Sequence, residues 1–255
     1  MCIRDRIKGT GPGGRIVKAD ILRVISTMKT SKIADKIRLS GVRRITAERM
    51  TESARIPQAS LTVSVDMSRM IKLRDEMKKS VKNLPFDAIF IKVVAEALKE
   101  HRIMNSTLDE SEIKIFSDIN IGFAVATDEG LLVPVVKNAD VKSLFEIAEE
   151  VNILIEKAKN RKLTAEELKS GTFTITNLGV LGIEEFKAII NPPQAGILAI
   201  GKIMNMPVAE ERVITIKPVV KLTLSFDHRV VDGAPAAKFL MKIKELLENP
   251  SWIKN

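Results

Sequence analysis

Apolar and polar positions recur along this chain with two periods, and the switches between them mark its elements. From Gly41, the residues Val42, Ile45, Ala47, Met50 and Ala54 fall at helical spacing. That run stops before Ile56-Pro57, because a residue preceding proline is driven out of the helical region. Leu61-Thr62-Val63-Ser64-Val65-Asp66-Met67 alternates and predicts a strand. Ser68 is placed to cap the helix that follows, with Met70, Leu73 and Met77 on one face. Phe86 to Leu98 is apolar nearly all round, as a buried helix is. Strands are predicted at 113–115, 119–126, 131–136, 172–176 and 196–203, the second and third joined by the hairpin signal Thr127-Asp128-Glu129-Gly130. Residues 212–216 and 219–226 are expected to form a final hairpin. Between them lie a long amphipathic helix from Ser143 to Lys159, a capping box at Thr164-Ala165-Glu166-Glu167, and a closing helix from Pro235 to Glu248. Helices and strands alternate irregularly and include hairpins. The expected fold is therefore α/β, a two-layer sandwich of a mixed sheet with helices packed on it.

The first 40 residues break this pattern. Met1 to Arg6 match nothing interpretable. Gly9, Gly11 and Gly14 formally fit Gly-x-Gly-x-x-Gly, but a dinucleotide fingerprint needs a preceding strand and a complete βαβ unit, and neither is present. A short helix is expected from Lys18 to about Ile25, and residues 26–40 read as a polar, basic linker. Charge divides at nearly the same place. Residues 1–55 hold 14 Lys and Arg against 5 Asp and Glu, whereas residues 56–255 hold 27 of each. The surplus belongs to the arm and suits an acidic protein partner. With 4% aromatics and no tyrosine, the chain offers few platforms for single-stranded nucleic acid.

Composition adds bounds. At 255 residues and 45% hydrophobic, the chain can bury one large core. No apolar run approaches a membrane span, and no signal-peptide core is expected at the N-terminus. A single cysteine, Cys2, argues against a disulfide framework and fits a reducing compartment, and one Cys with two His leaves too few ligands for a zinc cluster.

The densest chemistry lies at Asp227-His228-Arg229-Val230-Val231-Asp232-Gly233. An alternating run, Lys221 to Leu224, delivers His228 into a short connection before a helix, and Gly233 is expected to provide the turn. Loops carried on a rigid scaffold are where function concentrates. The other histidine, His101, ends a predicted helix and is expected to be solvated there. Thr176, at a strand end before Asn177-Leu178-Gly179, is by itself a residue that caps a turn.

The 227–233 motif resembles the signature of the dihydrolipoamide acyltransferases, the core components of 2-oxo acid dehydrogenase complexes. So do Gly171 to Gly179 and Asn191 to Gly201, in the same order, and the resemblance covers nearly all of 41–255. Gly182-Ile183-Glu184-Glu185-Phe186 is more similar to the pyruvate-type, acetyl branch. Residues 1–25 resemble the second half of a peripheral subunit-binding domain, without the helix that precedes its glycine loop in the family.

The resemblance implies a chloramphenicol-acetyltransferase-like fold and transfer of an acyl group, acetyl above all, between a dihydrolipoyl thiol and coenzyme A. His228 would be a buried neutral general base and Thr176 the donor to the tetrahedral oxyanion. An imidazole, unperturbed pKa about 6.5, suits a thiol near 8.5. Asp232 would orient the site or form a structural ion pair, with Arg43, Arg44 or Arg229 as partner. The implied partners are a homotrimer that builds a larger core, a lipoyl domain on which the lipoyl group travels, and the decarboxylase and dihydrolipoamide dehydrogenase components. The last two are expected to bind weakly because the N-terminal module looks incomplete, with residues 1–40 mobile. The implied compartment is the cytoplasm, or the mitochondrial matrix in a eukaryote. Two other readings are a non-catalytic scaffold of the same complex and a stand-alone coenzyme A acetyltransferase acting on a small hydroxylated molecule. Asp227, where the latter enzymes usually carry a second histidine, argues against the stand-alone reading.

Overall fold

The computed structural model describes residues 7–27, 34–78, 83–128, 130–210 and 213–253. Cys2, the middle of the expected linker, Glu129 at the hairpin tip and Arg212 lie outside the described residues. The chain forms two compact units, Met1–Leu39 and Ser40–Asn255. In the first, helix α1 (Lys18–Thr27) follows a glycine loop with no strand before it among the described residues. Asp20, 3% exposed, closes that loop by accepting from Thr10 N, Thr10 Oγ1 and Val17 N at 2.7–3.0 Å. These bonds hold its carboxyl below the ordinary value.

In the second unit, helix α2 (Gly41–Ser53) precedes β1 (Gln58–Asp66), α3 (Ser68–Met77) and α4 (Phe86–Glu100). Then come β2 (Ser106–Asp109), β3 (Glu112–Ile115), β4 (Ile121–Phe123), β5 (Val125–Thr127), β6 (Gly130–Leu132) and β7 (Val135–Val136). Helix α5 (Leu144–Lys159), β8 (Phe173–Asn177), β9 (Gly196–Ile200), β10 (Met204–Glu210), β11 (Val213–Asp227) and α6 (Gly233–Glu248) complete it. The central sheet runs β1-β11-β9-β8-β4-β7 with β10 added on β11. Its β9–β8 and β8–β4 pairs are parallel and the rest antiparallel, so the sheet is mixed.

Alternation decides what each face does. Leu222, Leu224 and Phe226 of β11 and Phe173 and Ile175 of β8 enter the core under the helices. α4 packs on β4 and β8 with α5 and α6 as its helical neighbours, and nine of its residues are buried. Intervening positions form a polar row on the other face, where Ser60 meets Ser225 at 3.2 Å and Thr62 meets Thr223 at 2.9 Å. The expected two-layer α/β sandwich is therefore present.

Four expectations change. Residues 213–227 form one strand, not half of a terminal hairpin, and the hairpin partner is β10. Pro218, within this strand, sits beyond the end of β1, where its carbonyl still accepts from Met67 N. A missing N–H costs little at a strand margin. Ser68 does not cap α3; Asp66 Oδ1 accepts from Ser68 N instead, at 2.9 Å. Thr164 and Glu167 do form their reciprocal bonds, around a single 3-10 turn. In α2 the apolar stripe is only partly covered within one chain, with Ile45 52% exposed. Finally, His101 is half-buried rather than fully solvated. It closes α4 edge-on against Phe239, ring centroids 5.9 Å apart, and burial pulls its pKa below the ordinary value.

Candidate active site

His228 follows the last ladder step of β11, Asp227 opposite Gln58, and its N–H bonds Pro57 O at 3.0 Å. The connection behind it is pinned by Asp227. That side chain is 4% exposed and takes Arg229 Nη2 at 2.6 Å, Arg229 Nε at 3.0 Å and Arg229 N at 2.9 Å. The Asp227 carbonyl accepts from both Val230 N and Val231 N. The bonds to Asp227 raise the Arg229 pKa. The imidazole rests 5.6 Å, centroid to centroid, from the buried Phe226 ring, with 49% of its side chain exposed. It is therefore half-exposed in the single chain rather than buried as expected.

Asp232 lies with Oδ1 3.9 Å from His228 Nδ1, 85% exposed. The expectation of an ion pair to Arg43, Arg44 or Arg229 is not met. Arg229 is committed to Asp227 and Arg44 to Glu48, and among the described residues Asp232 has only His228 within ion-pair range. The buried pair exists, but Asp227 makes it. Neither is Gly233 demanded by the turn, since an added Cβ there meets nothing within 4 Å.

Thr176 lies elsewhere. Register sets it opposite Ala199 of β9, and Ala199 opposite Thr223 of β11. From Thr223 to His228 is five residues, roughly 16 Å along the strand, with two strand spacings across. One chain therefore holds the two side chains at opposite ends of its sheet. The Thr176 side chain shares the face of Thr223 and Ser225, away from the helices, and its hydroxyl bonds none of the described residues.

At the Thr176 end the chain turns through Asn177-Leu178-Gly179. Asn177 Nδ2 donates to Asp87 Oδ1 at 2.8 Å, and Asn177 Oδ1 accepts from Gly179 N at 3.0 Å. Gly179 lies directly on the backbone of Gly201, where a Cβ would come within 2.3 Å of its carbonyl oxygen. Beside this turn opens a cleft of about 450 Å³, with Arg74, Phe86, Asp87, Asn177 and Lys202 among its walls. Arg74 stacks 4.2 Å over Phe86 and donates to Leu84 O. Burial pushes the Asp87 carboxyl up, with the Asn177 amide working against it. Sequence reading missed Asp87 because a carboxylate in the first turn of a helix is ordinary. Its pairing with a residue 90 positions away shows only in three dimensions. Among the described residues no group of His, Cys, Asp and Glu could hold a metal ion, and no helix is long and apolar enough to cross a membrane.

Comparison with known proteins agrees with this architecture. Residues 31–253 match the family of 2-oxoacid dehydrogenases acyltransferase (catalytic domain). The dihydrolipoyllysine-residue acetyltransferase component of the pyruvate dehydrogenase complex of Rickettsia conorii is 38% identical over 96% of this chain and 63% of its own length. The lipoamide acyltransferase component of the branched-chain alpha-keto acid dehydrogenase complex of Bacillus subtilis is also 38% identical, over 96% of this chain and 67% of its own. The chain thus spans about 63% of the first of these relatives. Among solved structures, a probable dihydrolipoamide acetyltransferase of Listeria monocytogenes aligns with TM-score 0.82 and 40% identity, covering 87% of this chain and 97% of that one. Dihydrolipoamide acetyltransferase of Azotobacter vinelandii, studied for the role of a serine, a histidine and an asparagine in its catalytic mechanism, aligns with TM-score 0.84 and 32% identity, covering 88% and 95%. The cubic core of a pyruvate dehydrogenase multienzyme complex gives the same values.

Proposed function

The chain belongs to the 2-oxoacid dehydrogenase acyltransferase family through its catalytic domain, and from that premise we propose that it moves an acetyl group between a dihydrolipoyl thiol and coenzyme A. The observation that carries the reading is the divided site: a half-exposed imidazole at one end of the sheet and an unpartnered hydroxyl at the other. Neither half suffices alone, and a second copy presenting its His228 end to this Thr176 end completes the pair. A homotrimer closes three such contacts by rotation, and the trimers build the larger core.

In the Azotobacter enzyme the serine precedes the histidine by 52 positions and the asparagine follows it by four, the same separations as Thr176, His228 and Asp232. Threonine keeps the hydroxyl of serine, while Asp232 brings a charge in place of an amide. His228 Nδ1 faces Asp232, which leaves Nε2 to take the proton of the incoming thiol. The thiolate attacks the thioester carbonyl, and Thr176 of the adjoining copy donates to the oxyanion. Collapse expels the second thiolate, which recovers the proton from His228.

Coenzyme A is a substrate here. The lipoyl group arrives on a lipoyl domain. Residues 1–25, the remnant of a subunit-binding domain, meet the decarboxylase and dihydrolipoamide dehydrogenase components only weakly. A spectrophotometric assay with dihydrolipoamide and acetyl-, succinyl- and isobutyryl-coenzyme A tests the proposal. Acetyl transfer should be fastest. A faster branched-chain substrate would move the acyl assignment, and no transfer from any donor would leave the scaffold reading.

A further inference from the structure

We propose that Asp87 is a positioning residue for the acyl transfer, setting where the Thr176 hydroxyl points without touching substrate on the Thr176 face of the sheet. This rests on the reading of Thr176 as the oxyanion donor.

Successive strand residues point to opposite faces. Thr176 and Asn177 therefore share one strand end, with the hydroxyl on the open face and the amide on the helix face. The amide meets Asp87, in the first turn of α4, at 2.8 Å. α4 is buried along its length, so Asp87 stands on one of the least movable elements of the molecule. The amide oxygen of Asn177 takes Gly179 N at 3.0 Å, and Gly179 rests on Gly201. Leu178 N bonds Ile200 O at 3.2 Å, and Ile183 N bonds Leu178 O at 3.2 Å. The turn after Thr176 is thus clamped from the sheet by backbone contact and from the helix layer by one side chain. Among the described residues, Asp87 is the only member of this clamp contributed by the helix layer.

Thr176 has no side-chain bond of its own among the described residues to fix its rotamer or its height. Its position is inherited from Asn177. Loss of the Asp87 acceptor frees the Asn177 amide and lets the strand end drift. A displacement of about 1 Å at a catalytic donor costs on the order of 10²-fold in rate.

The test is a double-mutant cycle in the assembled protein, with kcat and KM for acetyl-coenzyme A measured separately. Asp87→Ala should lower kcat by roughly 10- to 100-fold with KM little changed. Asp87→Asn, whose amide oxygen still accepts from Asn177, should retain most activity. Asn177→Asp places two carboxyls face to face and should be poor, and the swap Asp87→Asn with Asn177→Asp should recover. In a Thr176→Ala background, Asp87→Ala should cost nothing further, because a residue acting through Thr176 has nothing left to position. A purely structural role would lower Tm alike with or without Thr176 and leave the kcat of the folded assembly unchanged. A rise in KM at unchanged kcat would make Asp87 a substrate contact and overturn the proposal. Additive losses in the Thr176→Ala background would also overturn it. Wild-type activity of Thr176→Ala alone would instead remove the Thr176 reading beneath it.

Discussion

At the His228 end of the sheet the chain is fastened by charge, and at the Thr176 end by neutral hydrogen bonds and backbone contact. Asp227 buries a carboxylate against Arg229 and takes the Arg229 N–H as well, so the connection that carries the imidazole is held from inside the loop. Among the described residues the turn behind Thr176 has no ion pair. It is held from outside, by Asp87 on α4 and by the close approach of Gly179 to Gly201. The first device makes a rigid arm that can project beyond its own chain, with 49% of the imidazole side chain exposed. The second makes a seat whose geometry depends on the packing of another layer. A site divided between copies needs both: one side that survives leaving its own core and one that stays within it.

The comparison can be broken most directly at the residues that act. His228→Ala should reduce transfer by roughly 10²–10⁴-fold while the assembly elutes unchanged, and a variant at half the normal rate would sink the base assignment. Thr176→Ala should lower turnover by roughly 10²–10³-fold with KM little changed, and Thr176→Ser should be mild. Mixing sharpens the point. When the two inactive variants are unfolded together and reassembled, random pairing around a cyclic trimer restores both native residues to about a quarter of the sites. Recovery of activity in the mixture alone would demonstrate the division between copies, and its absence would place both residues in one chain's site.

The fastening itself is expected to show in stability. Arg229→Ala strands a buried carboxylate and should cost roughly 1–3 kcal/mol in denaturant unfolding, toward the low end because half of the guanidinium is already in water. A Cm equal to wild type would show that the loop is held by its backbone bonds instead. Asp232→Asn should be mild. An exposed pair contributes about 0–1 kcal/mol, so the change in kcat/KM should stay within about fivefold unless burial in the assembly strengthens it.

The smallest effect concerns the other histidine. His101 has a folded pKa below its ordinary 6.5, because burial disfavours the cation. The unfolded chain then binds a proton that the folded chain refuses, so stability should fall as pH drops through about 6.5 and level off below the folded value. His101→Gln should flatten that slope in urea titrations between pH 7.5 and 5.5. An unchanged slope would assign it to other groups.

Much of this was legible along the chain. The alternation of 219–226, the largely apolar run from Phe86, and the amphipathic helix from Ser143 each report a local burial pattern, and local burial is what periodicity encodes. The chemistry of His228 could be read because imidazole, carboxylate and strand end lie within five residues of each other. Other features were not legible, for one common reason. β10 alternates only briefly, at Met204, Met206 and Val208 around Pro207, and its strand is fixed by the edge that β11 offers. The partner of Arg229 is Asp227 rather than Asp232, since a strand end buries one carboxylate and exposes the other. Asp87 meets Asn177 only after α4 has docked on β8.

The sequence by itself determined the elements, their order and the residue types of the site, because these follow from backbone preference and from chemistry carried by single side chains. Tertiary structure alone decided that Thr176 and His228 stand at opposite ends of one sheet. That fact resides in strand register, and register is a property of pairing between segments that no single segment contains.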